Sequence, residues 1–167
     1  KIKEFNIPKN SQLSSIKKSA FAFSSAESIS IPVSVSEIQN NAFYKCKIKF
    51  INFNEESKLQ SISRYSFTLS SIETIKIPKH VKEIERGAFV NCRKLRTIEI
   101  SENSELHSIY DGVFNSSSIE SFFIPSHVTF IENNAFTECN KLKIVEIAEL
   151  TELKSIDASI FLIKSLE

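Results

Sequence analysis

Three cysteines, three histidines and several pairs of glutamates are the side chains of this sequence that could do chemistry. Cys46, Cys92 and Cys139 follow one another at intervals of 46 and 47 residues, and His80 and His127 are again 47 apart. His107 stands alone in Glu105-Leu106-His107-Ser108. Thiols at such intervals could hold a metal or close a disulfide, but only if the fold brings them to one point. The acids come as Glu55 and Glu56, Glu102 and Glu105, Glu149 and Glu152. No Ser/His/Asp set and no carboxylates at catalytic spacing accompany them. Two glycines in 167 residues cannot build a phosphate-cradling loop. Asn115-Ser116-Ser117 is the one glycan-acceptor sequence.

What these residues can do depends on what an interval of 46 or 47 residues means in space. It is two turns of a repeat. The unit is clearest from Ile77-Pro78 through Val81, Ile84, Ala88-Phe89 and Cys92 to Ile98 and Ile100, and it returns along the whole chain. Aligned on the last apolar residue of each expected strand, the markers are Ile7, Ile31, Phe53, Ile77, Ile100, Ile124 and Ile147, in steps of 22 to 24 residues. A stricter column holds Phe21, Phe43, Phe67, Phe89, Phe114, Phe136 and Phe161, seven of the 14 phenylalanines. A fixed period in the twenties is the mark of a solenoid, in which each unit buries its apolar face only against its neighbours.

Two unit types alternate. The short type, Ile-Pro-x-x-Val-x-x-Ile-x-x-x-Ala-Phe-x-x-Cys, occupies 31–46, 77–92 and 124–139. The long type has two extra residues before its first apolar anchor and occupies 8–21, 54–67, 101–114 and 148–161. Its insert keeps a hydroxyl at Ser11, Ser57, Ser104 and Thr151, which suits a turn whose side chain bonds local backbone. Each unit opens with alternating β-branched residues such as Ile75 and Ile77, which predict a short strand. The strands must add in parallel, because every connection runs the same way round. The second part is the return path Val-x-x-Ile. The third is a tight turn into Ala-Phe. Two residues before the column Phe stand Ser19, Asn41, Tyr65, Gly87, Gly112, Asn134 and Ser159. Gly and Asn there predict a positive φ, with Tyr65 the exception. The three residues after each Phe have room for a short turn or a single helical turn and are too few for a stable helix.

With strands about 4.8 Å apart, residues two units apart lie roughly 10 Å apart. The three thiols then share neither a disulfide nor a metal, and the spacing denies His80 and His127 a joint metal site. The cysteine column alternates with Ser24, Ser70 and Ser117, ending at Lys164, and reads as an inert internal ladder. The histidines read as solvated. The acids of the long units face Lys79, His80 and Lys82 of the short ones. That reads as a mixed-charge rim that blocks aggregation; a calcium or partner-docking rim is the alternative. Ser117 falls in the buried column, which argues against occupancy at Asn115.

The short-unit pattern, Leu/Ile-x-x-Ile-x-Ile-Pro-x-x-Val-x-x-Ile-x-x-x-Ala-Phe-x-x-Cys, resembles the BspA-like, or Treponema pallidum-type, leucine-rich repeats over essentially the whole chain. The long units depart from it: they lack the Pro except at Pro8, insert two residues and lose the Cys. The resemblance implies a right-handed leucine-rich-repeat arc with a parallel β-sheet on its concave face and short turns or single helical turns on the convex side. It also implies cell-surface or secreted proteins of bacteria and microbial eukaryotes that act in adhesion and recognition, and no shared catalytic residues.

The expected protein is therefore not an enzyme and needs no cofactor or metal. A net charge of +1 gives no pull toward nucleic acid or an anionic membrane. No apolar run approaches the ~18 residues of a membrane span, and no signal peptide is visible. Residues 1–167 read as one array of about seven units that starts and stops in register without polar caps, which suggests a piece of a longer array, or of a protein whose signal and anchor lie elsewhere; the uncapped ends are also where self-association is expected. The expected binding surface is the concave face, for a protein or glycan partner; an intracellular scaffold is the alternative. Its outward residues include Asn6, Ser30, Phe50, Asn52, Thr74, Lys76, Thr97, Glu99, Ser121, Phe123, Ile144 and Glu146, interleaved with Glu4 and Ser28. Phe50, Phe123 and Ile144 stand out as apolar side chains with no core to enter, the kind that anchor partners.

Overall fold

A computed structural model describes residues 3–156 and 158–161. Lys164, the last member of the cysteine column, lies outside them.

One strand per unit forms the front of the molecule: β1 (Glu4–Asn6), β3 (Ser28–Ile31), β5 (Phe50–Phe53), β7 (Thr74–Ile77), β9 (Thr97–Ile100), β11 (Ser121–Ile124) and β13 (Ile144–Ile147). The first five pair in parallel in chain order, and β11 pairs with β13. Register follows the repeat: Ser28 faces Phe50, Phe50 faces Thr74, and Thr74 faces Thr97. Between β9 and β11 the ladder thins, and the Glu120 N–H donates to the Arg96 carbonyl at 3.2 Å. That seam falls where Phe122 replaces the isoleucine of the inner column; its ring packs on Phe114 and Phe136 at 5.2 and 4.9 Å.

The Val-x-x-Ile path builds a second parallel sheet. Its six strands are β2 (Ser15–Ile16), β4 (Glu37–Ile38), β6 (Ser61–Ile62), β8 (Glu83–Ile84), β10 (Ser108–Ile109) and β12 (Phe130–Ile131), stacked in order. Two residues are too few to show an alternation, so the sequence pattern reads only as a return path.

The convex side is made of short turns, one of the two forms expected there. Among the described residues the only helical piece is the 3₁₀ turn Ala158–Phe161. Here successive residues divide their hydrogen bonds between two directions. The N–H groups of Asn41, Phe43 and Lys45 donate to Arg64, Ser66 and Thr68 of the next unit, while those of Ala42, Tyr44 and Cys46 bond back to Gln39, Asn41 and Phe43 of their own. This satisfies the buried backbone without helix or strand. It requires left-handed backbone two residues before and two after each Phe from Phe21 to Phe136. The first set is Ser19, Asn41, Tyr65, Gly87, Gly112 and Asn134, with φ from 56° to 63°. Tyr65 is therefore no exception: its φ is 56°. Ser159, in the 3₁₀ turn, does depart. The second set, Phe23, Lys45, Leu69, Asn91, Ser116 and Glu138, was hidden by its mixed residue types.

Between these layers runs the aromatic spine. Phe21, Phe43, Phe67, Phe89, Phe114, Phe136 and Phe161 stack successively, with centroids 5.0 to 5.7 Å apart and planes within 20°. The insert hydroxyls do what the sequence predicts: Ser11, Ser57, Ser104 and Thr151 each accept from the N–H two residues on.

Candidate functional site

The front sheet buries alternate residues and turns the others outward, so period and pleat together fix two outward columns. Ser28, Phe50, Thr74 and Thr97 form one; Ser121 and Ile144 continue it beyond the seam. Asn6, Ser30 and Asn52 are in register in the other, as are Lys76 with Glu99 and Phe123 with Glu146. All twelve expected residues lie on this face. Phe50 and Ile144 are 45% and 53% exposed, but Phe123 is half-buried. Phe123 and Ile144 sit on neighbouring strands, whereas Phe50 is three strands from β11, roughly 14 Å away. Ser30 and Asn52 line a shallow hollow with Phe53 and Lys9 at the downstream end of the strands.

The cysteines are buried and free. The Cys92 thiol donates to the Phe67 carbonyl at 3.0 Å and lies 3.5 Å from Ser70 Oγ; Cys139 repeats this with Phe114 and Ser117. Burial pushes the Cys46 thiol up to about 11 and Cys92 up to about 12, and Cys139 is raised for the same reason. The folded protein should therefore resist iodoacetamide at pH 8, while urea exposes three reactive thiols. A proton held more tightly when folded stabilises below the unfolded value near 9. That contribution should disappear as pH rises from 9 toward 12. Alkylation of the native protein at the denatured rate would refute the inert ladder.

The histidines are less solitary than their spacing suggests. His80 Nδ1 lies 2.8 Å from Glu105 Oε1, and His127 Nδ1 lies 2.8 Å from Glu152 Oε1, each bridging a short unit to the next long one. His80 holds the Glu105 carboxyl below the usual range. Acid and base do alternate along this rim. No group of three His, Cys, Asp or Glu converges to hold a metal among the described residues. Ser117 is buried and bonded to Cys139, as its column predicts.

Two surface features went unread in the sequence. Phe23 is 69% exposed and meets Tyr44 edge-on at 5.5 Å, with Lys45 Nζ 5.3 Å from the Tyr44 ring. The other is a two-unit alternation just upstream of the front strands. Long units carry Lys47-Ile48-Lys49, Lys94-Leu95-Arg96 and Lys141-Leu142-Lys143; short units carry Ser25-Ala26-Glu27, Ser71-Ile72-Glu73 and Ser118-Ile119-Glu120. The signal was present, but it lies outside the apolar columns that define the repeat. Backbone bonds tie these rows into one continuous edge, from Lys3 through Glu27, Lys49, Glu73, Arg96 and Glu120 to Lys143.

Parallel strands once per 22–24 residues, short turns in place of convex helices and a registered front sheet define a leucine-rich-repeat solenoid. The chain belongs to the BspA-type leucine-rich repeat family, whose repeat region matches in six copies over residues 1–106 and 60–167. Among solved structures it is similar to the pneumococcal vaccine antigen PcpA, at 27% identity and a TM-score of 0.82, over 89% of this chain and 41% of that one. It shares its fold with a leucine-rich cell surface protein from Faecalibacterium prausnitzii, at 24% identity and a TM-score of 0.60, over 87% of this chain and 48% of the other. A leucine-rich repeat protein from Bacteroides ovatus matches at 23% identity and a TM-score of 0.62, over 89% and 46%. The chain thus spans less than half the length of each. No curated protein matches it.

Proposed function

We propose that this chain is a non-enzymatic recognition module, exposed on a cell surface or secreted, that binds a protein or glycan partner through its concave sheet face. The observation that carries this reading is the face itself. Two registered columns of mostly small or polar side chains surround Phe50 and Ile144, which stay half exposed although the fold has a large core to hold apolar residues. Exposed apolar anchors among near-neutral neighbours are how interfaces concentrate their energy. The surface location is supported by similarity to PcpA, a vaccine antigen. No helix among the described residues is long and apolar enough to cross a membrane. Residues 1–167 act as one array. Its open turns expose apolar hollows, one formed by Phe5, Ile7, Leu13, Ile16 and Phe21, where a further unit or a second copy would stack.

The test is binding of the purified chain to intact cells, matrix proteins and a glycan array, beside Phe50→Ser/Phe123→Ser of verified fold. Binding should fall about tenfold or more in the variant, as for the loss of a central anchor. Equal binding by both would move the site off the concave face. No binding by either would favour a spacer or an intracellular scaffold.

A further inference from the structure

We infer that the upstream rim of the concave face is a binding site for an extended polyanionic glycan, a sulfated or carboxylated polysaccharide, whose acid groups meet the cation rows of successive long units. The inference specifies the ligand class for the face proposed above and rests on that reading.

The chain is almost neutral overall, but its charge is sorted. Each long unit brings two or three cations to this rim and each short unit one glutamate. Arg93, Lys94 and Arg96 are exposed and converge with Glu73, Thr74 and Thr97 around a shallow hollow at the edge of the sheet. Among the described residues none of these three cations enters an ion pair, and neither does Lys141 or Lys143; Lys49 is held by Glu27 at 2.9 Å. Unpaired, exposed cations grouped on one rim are unfavourable to one another and are relieved by an external anion.

Spacing selects the kind of anion. Long-unit rows recur every two strands, roughly 10 Å apart, with a glutamate row between them. A nucleic acid strand places a phosphate about every 3.4 Å and would bring phosphates against each glutamate. A polysaccharide with one acid group per disaccharide carries its charges more sparsely and can pass the acidic rows with neutral sugar edges. Beside the rim the sheet face carries the hydroxyls Ser28, Thr74, Thr97 and Ser121, with Phe50 next to Lys49 and Ile144 next to Lys143. Hydroxyls and cations bond the polar edge of a sugar, while Phe50 covers its apolar face.

Hyaluronan, which carries one carboxylate per disaccharide, serves as the probe, beside neutral dextran and duplex DNA, with binding measured by calorimetry. The parent should bind hyaluronan in a salt-dependent manner and ignore dextran. Arg93→Gln/Lys94→Gln/Arg96→Gln should weaken hyaluronan binding about tenfold, as expected for three exposed ion pairs. Lys141→Gln/Lys143→Gln, on a separate row, should weaken it in the same direction, so the test does not depend on one variant folding. Lys58→Gln/Lys79→Gln/Lys82→Gln, which removes equal charge from the opposite rim, should leave binding unchanged. The inference is overturned if the parent does not bind hyaluronan or if both rims contribute equally. DNA binding as tightly as hyaluronan and being lost with the same variants would overturn it too. These outcomes are independent of cell binding by Phe50→Ser/Phe123→Ser, so the rim and the anchors can fail separately.

Discussion

Phe89→Ala should lower the stability of the array by about 3–5 kcal/mol, the range for truncating a fully buried aromatic. The ring is inaccessible and is stacked on both sides, on Phe67 at 5.1 Å and Phe114 at 5.6 Å. Its removal leaves a cavity that neighbouring rings cannot fill, because their backbones are fixed by bonds to the next unit: Phe67 donates to the Ala88 carbonyl and Phe89 to that of Val113. A solenoid is coupled only between neighbours, so the position of a lesion matters as well as its size. Phe21, half-buried in the first unit, is expected to cost far less when truncated. Phe89→Ala should also broaden the urea transition, or split it, as the two halves lose their coupling. Urea melts of the two variants read both effects. A Phe89→Ala protein as stable as Phe21→Ala would remove the aromatic spine as the source of cohesion.

Gly87→Ala should be the most damaging single-methyl change on the convex side. The φ of Gly87 is +63°, where any Cβ costs about 1–2 kcal/mol. The added methyl would also collide with Cδ1 and Cε1 of Tyr65, whose ring lies over the glycine. Overpacking of this kind adds about 1–3 kcal/mol. Gly112 gives the control. It has the same φ of +63°, but an added methyl would meet nothing nearer than Asn115 Cβ at 4.0 Å, so Gly112→Ala should show the backbone cost alone. Placing Tyr65→Ala in the Gly87→Ala background should recover the steric part and leave the backbone part. Equal thermal shifts for the two glycine variants, with no rescue, would show that Tyr65 moves aside freely.

The same pair shows where sequence reasoning reaches and where it stops. Glycine at 87 and 112 and asparagine at 41 and 134 announce a left-handed turn, because those residues prefer it. Tyr65 hides the same conformation: its type argues against it, and the turn forms because inter-unit bonds demand it and because Gly87 makes room for the ring. Phe23 and Leu69 conceal the second left-handed position in the same way. The spine was legible, since seven phenylalanines in one column need no geometry to be noticed. The back sheet was not, since strands such as Glu83–Ile84 are two residues long and owe their pairing to the stack. On the concave face, period and alternation located every outward residue, but not the partial cover over Phe123. The histidines were legible as a column; their glutamate partners come from an insert of different length, so only the folded register brings Glu105 to His80.

The direction of the hydrogen bonds has a mechanical consequence. Front sheet, back sheet and convex turns all bond from one unit to the next, along the axis of the stack. Tension between the ends therefore loads the unit interfaces in series, each opening like a zip, instead of shearing many strands at once. The seam between β9 and β11, with its thin front ladder, is the expected first point of yield. Each unit that peels off releases 22 to 24 residues, or roughly 75–85 Å of extended chain. A fold so coupled can lengthen in steps under load while the units on either side of the break stay folded.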